Sequence, residues 1–379
     1  MDFELTKEQE MIKNSVREFA EKELKPIAIE NDENREFPIE AYKKLGEMGI
    51  IGLPYPEEYG GTNGGYLPYV LAVEEISKIH ASLGIGYSVN TSLCGGAIYN
   101  NASEELKKKY LPDLLSGKKI GAFNLTEPEA GSDAGNGSTI AVKEGDHYII
   151  NGLKCFSTNA PLADTFVVFA ITDKSKGSRG MSAFIVEKDF PGVSIGKIEN
   201  KSGINAAQVS EVIYDNCKVP AENLIGEEGK GLGIGLSTLD GGRIGVAAQA
   251  LGIAEGAFEI ARDYMKQRVQ FGKPIYKNQY LGFKMAELAL EIEQAKYMVY
   301  KAALDKDAGR PYSVSAAKAK LACSDAAMHV TVEAVQMLGG NGYMRDYHVE
   351  RMMRDAKITQ IYEGTNEIQK MIISGSIFR

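Results

Sequence analysis

The chain of 379 residues contains no tryptophan and is poor in cysteine and histidine, with four of each. The cysteines stand far apart without a CxxC pair, which favours reduced, mostly buried thiols in a cytosolic protein. The histidines are equally scattered, and none belongs to an HExxH motif or another metal-ligand spacing. We therefore expect no metal site. The cysteines are Cys94, Cys155, Cys217 and Cys323.

Positive charge is also in short supply, because 43 lysines and arginines face 51 acidic residues and the net charge is −8. A nucleic-acid-binding surface needs dense basic charge, so that class of function is not expected. An anionic cofactor would have to be held by a few placed groups. The start, MDFELTKEQE, lacks a basic and then apolar leader, and no window of about 18 apolar residues predicts a membrane span. We expect a cytoplasmic protein that binds neither nucleic acid nor membrane.

Hydrophobic periodicity divides the chain into helical, strand-rich and again helical parts. Thr6 with Gln9 predicts a capping box, and apolar residues then recur at helical spacing. Short β-branched and aromatic runs at 165–172 and 182–186 predict an antiparallel sheet or small barrel. We expect an α+β fold with an N-terminal helical domain (1–120), a middle β domain (121–221) and a C-terminal helical bundle (222–379).

The C-terminal part shows two helical patterns that we interpret as core packing. A stripe runs from Leu281 to Ala302, and alanines and glycines crowd residues 244–261, where they would let helices approach closely. The usual nucleotide loops are missing, since no GxGxxG follows a predicted strand and no GxxxxGK[ST] occurs. A nucleotide bound here would need another kind of site.

Four segments combine polar side chains with glycine in apolar surroundings: 123–133, 156–159, 268–274 with Gln279, and 336–340 with 361–367. With the motifs LTEPEAGSDA, RVQFGKP, QMLGGNGY, RMMRDAKI and IYEGTNEIQ, the whole chain resembles the acyl-CoA dehydrogenase family. The stretch 237–245 is most similar to the short-chain, butyryl-CoA branch of anaerobic bacteria.

The resemblance implies that Glu363 is the base that removes a proton alpha to a thioester carbonyl, with Tyr362 and Gly364 at the substrate. Apolar residues precede Glu363, so we expect an apolar pocket that raises its pKa. In the family the backbone amide of this glutamate and a flavin hydroxyl hold the thioester oxygen. The alternative is an acid that interacts only with the N-terminus of the next helix.

The resemblance also implies non-covalent FAD, part of which is contacted by a neighbouring subunit through Arg268, Gln279 and 336–340. Phe156 stands where a tryptophan is usual in the family, and Ser132 is also expected near the CoA chain. Ordinary turn chemistry around Thr126 and Ser132, and a solvated helix end at Arg268 and Gln279, are the alternatives. The expected FAD-binding residues are Phe123, Leu125, Thr126, Ser132, Phe156, Ser157, Thr158, Arg268, Phe271, Gln279, Gln336, Gly339, Gly340, Thr365 and Glu367.

Two further expectations concern the substrate. Asp240 and Arg243 match positions that contact CoA, with an i,i+3 ion pair within a helix as the alternative. The segment 203–209, Gly-Ile-Asn-Ala-Ala-Gln-Val, departs from the family's Gly-Ile-Arg-Gly-Ser-x-Thr loop. Its alanines either open space for a bulkier acyl group or lie on the surface and alter docking of a partner.

The expected function is FAD-dependent interconversion of acyl-CoA and trans-2-enoyl-CoA of the short-chain type, in a homo-oligomer, commonly a tetramer. Electrons would be exchanged with an electron-transferring flavoprotein. The first alternative is an enzyme that works physiologically as an enoyl-CoA or aryl-acrylyl-CoA reductase. An acyl-CoA oxidase or monooxygenase on the same fold, or a non-catalytic flavin-binding scaffold, are the others.

Overall fold

The computed structural model describes residues 4–378, so the acidic start of the chain at residues 1–3 lies outside them. The N-terminal part is helical. Thr6 and Gln9 form the predicted capping box, and the stripe through Val16 and Leu24 is buried. The helices are α1 (Lys7–Phe19), α2 (Ala28–Asn34), α3 (Ile39–Glu47), α4 (Tyr66–Ser77), α5 (Ala81–Ser88), α6 (Gly96–Asn101) and α7 (Glu104–Leu115).

The middle part is one eight-stranded sheet, and both predicted strand runs are confirmed as β4 and β5, which pair antiparallel. The sheet is mixed rather than purely antiparallel, because β1 runs parallel to β4. The order is β6-β7-β3-β2-β4-β5-β8, with β1 added beside β4. The strands are β1 (Gly121–Asn124), β2 (Ile140–Glu144), β3 (His147–Thr158), β4 (Thr165–Ile171), β5 (Met181–Glu187), β6 (Val193–Ile198), β7 (Val209–Pro220) and β8 (Leu224–Ile225).

The C-terminal part is a helical bundle around one long helix, α8. Its other elements are the hairpin β9 (Val269–Gln270) and β10 (Lys273–Pro274), and the predicted stripe on α9 packs in the core. The helices are α8 (Gly231–Gln267), α9 (Gln279–Asp307), α10 (Ser313–Leu338), α11 (Val349–Ile358) and α12 (Asn366–Ile377).

Small residues let α8 approach α4 closely, as the sequence predicted. A Cβ added at Gly252 would lie 2.3 Å from the carbonyl oxygen of Glu74, and one at Gly256 would lie 2.4 Å from that of Lys78. Lys78 also forms a 2.6 Å ion pair with Glu255 of α8. The N-terminal helices and the bundle therefore share one core.

The sequence led us to expect no segment long and apolar enough to cross a membrane. Helix α8 contradicts that expectation by its length and composition. Its most apolar 18-residue window is 83% buried inside the protein. That burial is typical of a central core helix, in which alanine and glycine raise hydropathy and also permit close packing.

The three parts suggest domain divisions close to those predicted. We propose the first near residue 120 and the second between 225 and 231, slightly later than expected, because β8 still pairs with β5. The segment 203–209 lies at a junction of all three parts. Ile204 donates its backbone N–H to Asp355 of α11, and the amide of Gln208 donates to the carbonyl of Arg35.

That junction overturns the surface alternative for this segment, since Ala206 and Ala207 are fully buried. The carbonyl of Gln208 accepts the backbone N–H of Asn159, 2.9 Å away, at the end of β3. The hydrogen bonds of segment 203–209 described here are thus made to α11, to Arg35 and to the end of β3. The proposal that the alanines enlarge an acyl pocket remains a prediction.

A buried ion pair fixes the LTEPEAGSDA segment on the sheet. Lys154 of β3 is fully buried and reaches Glu127 at 2.7 Å and the carbonyl of Leu125 at 3.3 Å. The positive charge of Lys154 and backbone and side-chain hydrogen bonds from residues 138 and 139 outweigh burial and hold the pKa of Glu127 at about 2. The turn is thus held by charge-assisted bonds.

We predict that Lys154→Met lowers the free energy of unfolding by about 3–5 kcal/mol, since it leaves a buried carboxylate without its cation. Urea-induced unfolding measures the change. Lys218→Met is the matched control, because Lys218 is an exposed lysine on neighbouring β7. Equal stability of the two variants would contradict this role for the ion pair.

Candidate functional site

Glu363 lies in the turn between α11 and α12 and has a left-handed backbone, with φ of 53°. A non-glycine residue in this region is uncommon and is typical of functional sites. Gly364 follows with φ of 94°, and Thr365 caps α12 by accepting the backbone N–H of Ile368 at 3.4 Å. The turn directs the glutamate side chain away from α12 and into the protein. The carboxylate therefore does not interact with the N-terminus of α12, as the alternative interpretation of Glu363 required.

The carboxylate of Glu363 rests on the backbone of α8. A Cβ added at Gly242 would lie 2.0 Å from Oε2 and 2.6 Å from a methyl carbon of Leu93. Both carboxylate oxygens are buried, and within residues 4–378 neither has a hydrogen-bond partner. The residue as a whole is half-buried. The expected apolar pocket is therefore present.

Burial raises the pKa of Glu363 to about 8, although the positive charges of Arg243 and Lys320 act in the opposite direction. Nε of Arg243 donates to the carbonyl oxygen of Glu363 at 3.4 Å. The guanidinium of Arg243 also forms an ion pair with Asp240, which is the i,i+3 pair within a helix that the sequence allowed as an alternative. Asp240 in turn accepts a hydrogen bond from the hydroxyl of Ser313 at 2.9 Å. Arg243 is only 5% exposed, so it lies beneath the base and holds its backbone.

Tyr362 joins the same turn to α8. Its hydroxyl donates to the side-chain carbonyl of Gln249, whose amide donates to the carbonyl of Ala81 at 3.0 Å. This chain of bonds links the turn before the base to α8 and to the start of α5.

Two of the predicted flavin segments lie side by side at one end of the sheet. The backbone N–H of Cys155 donates to the carbonyl of Thr126 at 2.9 Å. The ring of Phe123 meets Phe169 with centroids 5.0 Å apart, and Leu125 is buried against α8 beside Gly235. The sheet and α8 therefore present residues 123–126 and 155–158 together.

Phe156 is 70% exposed and has a left-handed backbone, so its ring stands free of the sheet. Ser157 points the other way, and its buried hydroxyl donates to Asn124 at 2.7 Å. Thr158 is half-buried and Ser132 is exposed. Of the two adjacent hydroxyls, that of Thr158 is the one better placed for a ligand at this end of the sheet.

The remaining predicted cofactor residues lie elsewhere. Phe271, with φ of 51°, is 96% exposed in the β9–β10 hairpin. No hydrogen bond or ion pair in the described part of the chain links this group to residues 123–158. Their exposure suits contact with another subunit. The exposed residues are Arg268, Phe271, Gln279, Gln336, Gly339, Gly340 and Glu367, and Thr365 is half-buried.

A cleft of 590 Å³ lies at the N-terminus of α8, where the sequence predicted no site. Its lining includes Lys176, Arg179 and Lys230, and a helix N-terminus adds partial positive charge. A Cβ added at Gly135, which follows Ser132 closely in the chain, would lie 3.0 Å from Cβ of Ser178 and 3.2 Å from a methyl carbon of Leu232, both in the same lining. The glycine run 229–235 marks this position in the sequence, although its spacing is not that of a standard nucleotide loop.

Comparison with known proteins identifies the family of the chain. Sequence models of the acyl-CoA dehydrogenase N-terminal, middle and C-terminal domains match residues 6–118, 122–217 and 229–378. The short-chain specific acyl-CoA dehydrogenase of Clostridium acetobutylicum is 58% identical over 100% of both chains. The acryloyl-CoA reductase (NADH) of Anaerotignum propionicum is 47% identical, covering 100% of this chain and 96% of the relative.

A solved chain from a study of the electron transferring flavoprotein of Acidaminococcus fermentans, concerned with flavin-based electron bifurcation, superposes with a TM-score of 0.99. It is 53% identical, and each chain is covered over 100% of its length. The three domain matches and these identities establish that this chain belongs to the acyl-CoA dehydrogenase family.

Proposed function

We propose that this protein interconverts short-chain acyl-CoA and trans-2-enoyl-CoA with FAD as its cofactor. The observation that carries the proposal is the Glu363 carboxylate, buried without a hydrogen-bond partner on Gly242. A carboxylate kept out of water is a stronger base than a surface glutamate, and it suits removal of a carbon-bound proton.

The reaction requires a base on one face of the thioester and stabilisation of the oxygen that gains charge. Glu363 takes the proton from the carbon alpha to the thioester carbonyl while Arg243 holds its backbone. Within residues 4–378 no group accepts the backbone N–H of Glu363, so that N–H is free to donate to the thioester oxygen. FAD, when bound, supplies the acceptor for the hydride from the neighbouring carbon.

The residues present fit FAD. The exposed ring of Phe156 and the hydroxyls of Thr126 and Thr158 offer an aromatic face and hydrogen-bonding groups on adjacent segments. In the described residues the guanidinium of Arg268 has no ion-pair partner, and guanidinium geometry suits a diphosphate. Arg268 would serve the cofactor of a neighbouring subunit, because it lies away from the ring-binding segments.

The cleft at the start of α8 supports CoA as the carrier of the acyl group, because its lining keeps two cations beyond the Lys176–Asp173 ion pair, although Glu228 also lines it. It opens beside the loop that contains Ser132, and Arg179 and Lys230 offer charge for phosphates. We assign Asp240 to the interior behind this cleft, where it orients Arg243 rather than meeting the adenosine end.

We infer a homo-oligomer, most simply a tetramer, whose electron partner is an electron-transferring flavoprotein in the cytoplasm. The similarity to the chain studied with such a flavoprotein supports the partner. An exposed apolar face along α9 supports a second copy of this chain. Its residues include Tyr280, Phe283, Leu290 and Leu304.

Reduction of an enoyl-CoA is the second candidate direction, and the similarity to an acryloyl-CoA reductase favours it. The same carboxylate, protonated, would then deliver a proton to the alpha carbon. Bleaching of bound flavin by a saturated acyl-CoA without added partner separates either direction from a non-catalytic scaffold.

We predict that Glu363→Gln retains FAD and fold but loses about 10²–10⁴-fold in kcat, the range for loss of a general base. In the oxidative direction, kcat/KM of the wild type should rise with pH and level off above about 8, because burial raises the pKa of Glu363 to about 8 and only its ionised form accepts a proton. Near-normal turnover in the variant would place the base elsewhere.

Gly242→Ala should displace the base, since the added methyl group would overlap Oε2. We expect at least about a 100-fold loss of kcat/KM with FAD retained. Gly375→Ala in α12 is the control, because no heavy atom lies within 4 Å of its added Cβ. Similar activity of the two variants would show that the carboxylate does not depend on this contact.

The double variant Arg179→Ala, Lys230→Ala tests the cleft. The KM for a short acyl-CoA should rise about 3- to 10-fold with kcat unchanged, while an acyl-pantetheine without the nucleotide should be unaffected. An equal change for both thioesters would mean that the cleft does not bind the nucleotide end.

Arg268→Ala should raise the dissociation constant for FAD by about 10- to 100-fold and loosen the oligomer, because the guanidinium binds the diphosphate across a subunit boundary. Equilibrium dialysis and light scattering measure the two effects. The control is Lys277→Ala, an exposed cation in the same region. Full FAD occupancy of the Arg268 variant after dialysis would rule out this role.

A further inference from the structure

The face of α8 that meets the base continues to Gly245. Gly242 and Gly245 are neighbours on this face, because residues three positions apart adjoin on a helix surface. A Cβ added at Gly245 would lie 2.3 Å from Oγ of Ser88 and 2.5 Å from the hydroxyl oxygen of Tyr69. Two hydroxyl groups therefore rest on the backbone of α8 next to the point where the carboxylate of Glu363 rests on it.

These hydroxyls belong to a hydrogen-bonded group that joins α4 to α5. The hydroxyl oxygen of Tyr69 lies 2.7 Å from Oγ of Ser88, and Oγ of Ser92 donates to the carbonyl oxygen of Ser88 at 2.8 Å. All three side chains are buried. We call Tyr69, Ser88 and Ser92 the hydroxyl layer. Because a buried hydroxyl that loses its partner costs free energy, the layer resists displacement.

The wall beside the base comes from the same part of the chain. Residues Val89–Gly95 form a π-helix between α5 and α6, a rare conformation that is frequent at functional sites. It carries Ser92 to the hydroxyl layer and Leu93 to the base, where a methyl carbon of Leu93 would lie 2.6 Å from a Cβ added at Gly242. An apolar wall and a polar end are thus set by consecutive residues.

The order of sites along α8 gives the direction of a bound thioester. The cleft proposed for the nucleotide end reaches along α8 to Leu236, the base meets Gly242, and the hydroxyl layer meets Gly245. A thioester with CoA in the cleft and its alpha carbon at Glu363 directs its acyl tail towards the layer. At a rise of about 1.5 Å per residue, the layer lies about 4.5 Å beyond the base, which spans about three C–C bonds.

We propose that the hydroxyl layer closes the acyl pocket and limits the substrate to straight chains of about four carbons. A butyryl chain ends before the layer, whereas a hexanoyl chain would press its terminal methyl group against it. Making room for the longer chain would leave a buried hydroxyl without a partner. Tyr69, Ser88 and Ser92 are thus specificity-determining residues. The inference rests on the proposed function, whose substrate class it narrows.

The test uses the FAD-loaded oligomer and the ratio of kcat/KM for hexanoyl-CoA to that for butyryl-CoA. The double variant Tyr69→Phe, Ser88→Ala keeps the ring and the helix but removes two oxygen atoms from the end of the pocket. We expect the ratio to rise about 10-fold, the low end of the range for one more methylene group. An unchanged ratio in a variant that retains FAD and turns over butyryl-CoA would overturn the proposal.

Ser88→Thr changes the pocket in the opposite direction, since it keeps the hydroxyl and adds a methyl group to the layer. The ratio of kcat/KM for butyryl-CoA to that for propionyl-CoA should fall about 10-fold. This variant decides the matter if the double variant does not fold. An equal loss for both thioesters would contradict the proposal.

Tyr87→Phe is the matched control, because the buried hydroxyl of Tyr87 donates to the carbonyl of Ile50 at 2.9 Å rather than to the layer. Both ratios should equal those of the wild type. A shift in Ala207→Ser combined with an unchanged ratio in the double variant would overturn the proposal and place the limit at segment 203–209.

A binding measurement separates this inference from the proposed function. In FAD-loaded Glu363→Gln, calorimetric dissociation constants for butyryl-CoA and hexanoyl-CoA report the fit of the chain without turnover. Adding Tyr69→Phe and Ser88→Ala should strengthen hexanoyl-CoA binding about 3- to 10-fold relative to butyryl-CoA, since one more methylene group is buried. An unchanged preference would contradict the role of the layer alone, whereas binding of neither thioester would refute the proposed function itself.

Discussion

The contact between the carboxylate of Glu363 and the backbone of Gly242 is the constraint on which the site depends. It requires glycine at one position of α8, a left-handed turn after α11, and an apolar wall at Leu93 from the N-terminal helices. The first two conditions are met by separate segments of the C-terminal part, and the third by the N-terminal part. The base is therefore a product of the packed core, in which all three conditions are met at once.

This arrangement explains why polar groups are buried so close to one another. Arg243 holds the backbone of the base, Lys320 donates to Asn366 just beyond it, and Tyr362 links the turn to Gln249. A residue in a strained conformation persists only when its surroundings over-determine it. Here Arg243, one of the groups that fix the turn, also supplies positive charge that offsets part of the desolvation of Glu363.

The sequence predicted those features that are encoded locally. The capping box at Thr6 is confirmed, and both of its partners lie within one helical turn. Strands β4 and β5 are confirmed as well, because each is marked by its own run of β-branched and aromatic residues. The resemblance to a known family, rather than any spacing, pointed to Glu363. Its apolar pocket followed from the residues that precede it and is confirmed by burial of the carboxylate.

Contacts between distant residues could not be predicted in this way. Arg243 and Glu363 are 120 positions apart, so the hydrogen bond between them leaves no periodic signal. The CoA contact that the resemblance implied for Arg243 remains a prediction. Ser157 was expected to face the flavin, but its hydroxyl turns into the sheet towards Asn124. The surface alternative for segment 203–209 was wrong because composition does not show that three domains meet there.

The most direct test of the account is a crystal structure of the FAD-loaded oligomer with a short-chain acyl-CoA analogue that cannot be oxidised. We expect a carboxylate oxygen of Glu363 about 3–3.5 Å from the alpha carbon, on the face opposite the flavin, with Gly242 behind it. The backbone N–H of Glu363 should donate to the thioester oxygen. A complex in which another carboxylate occupies that position, or in which Glu363 faces away from the alpha carbon, would contradict it.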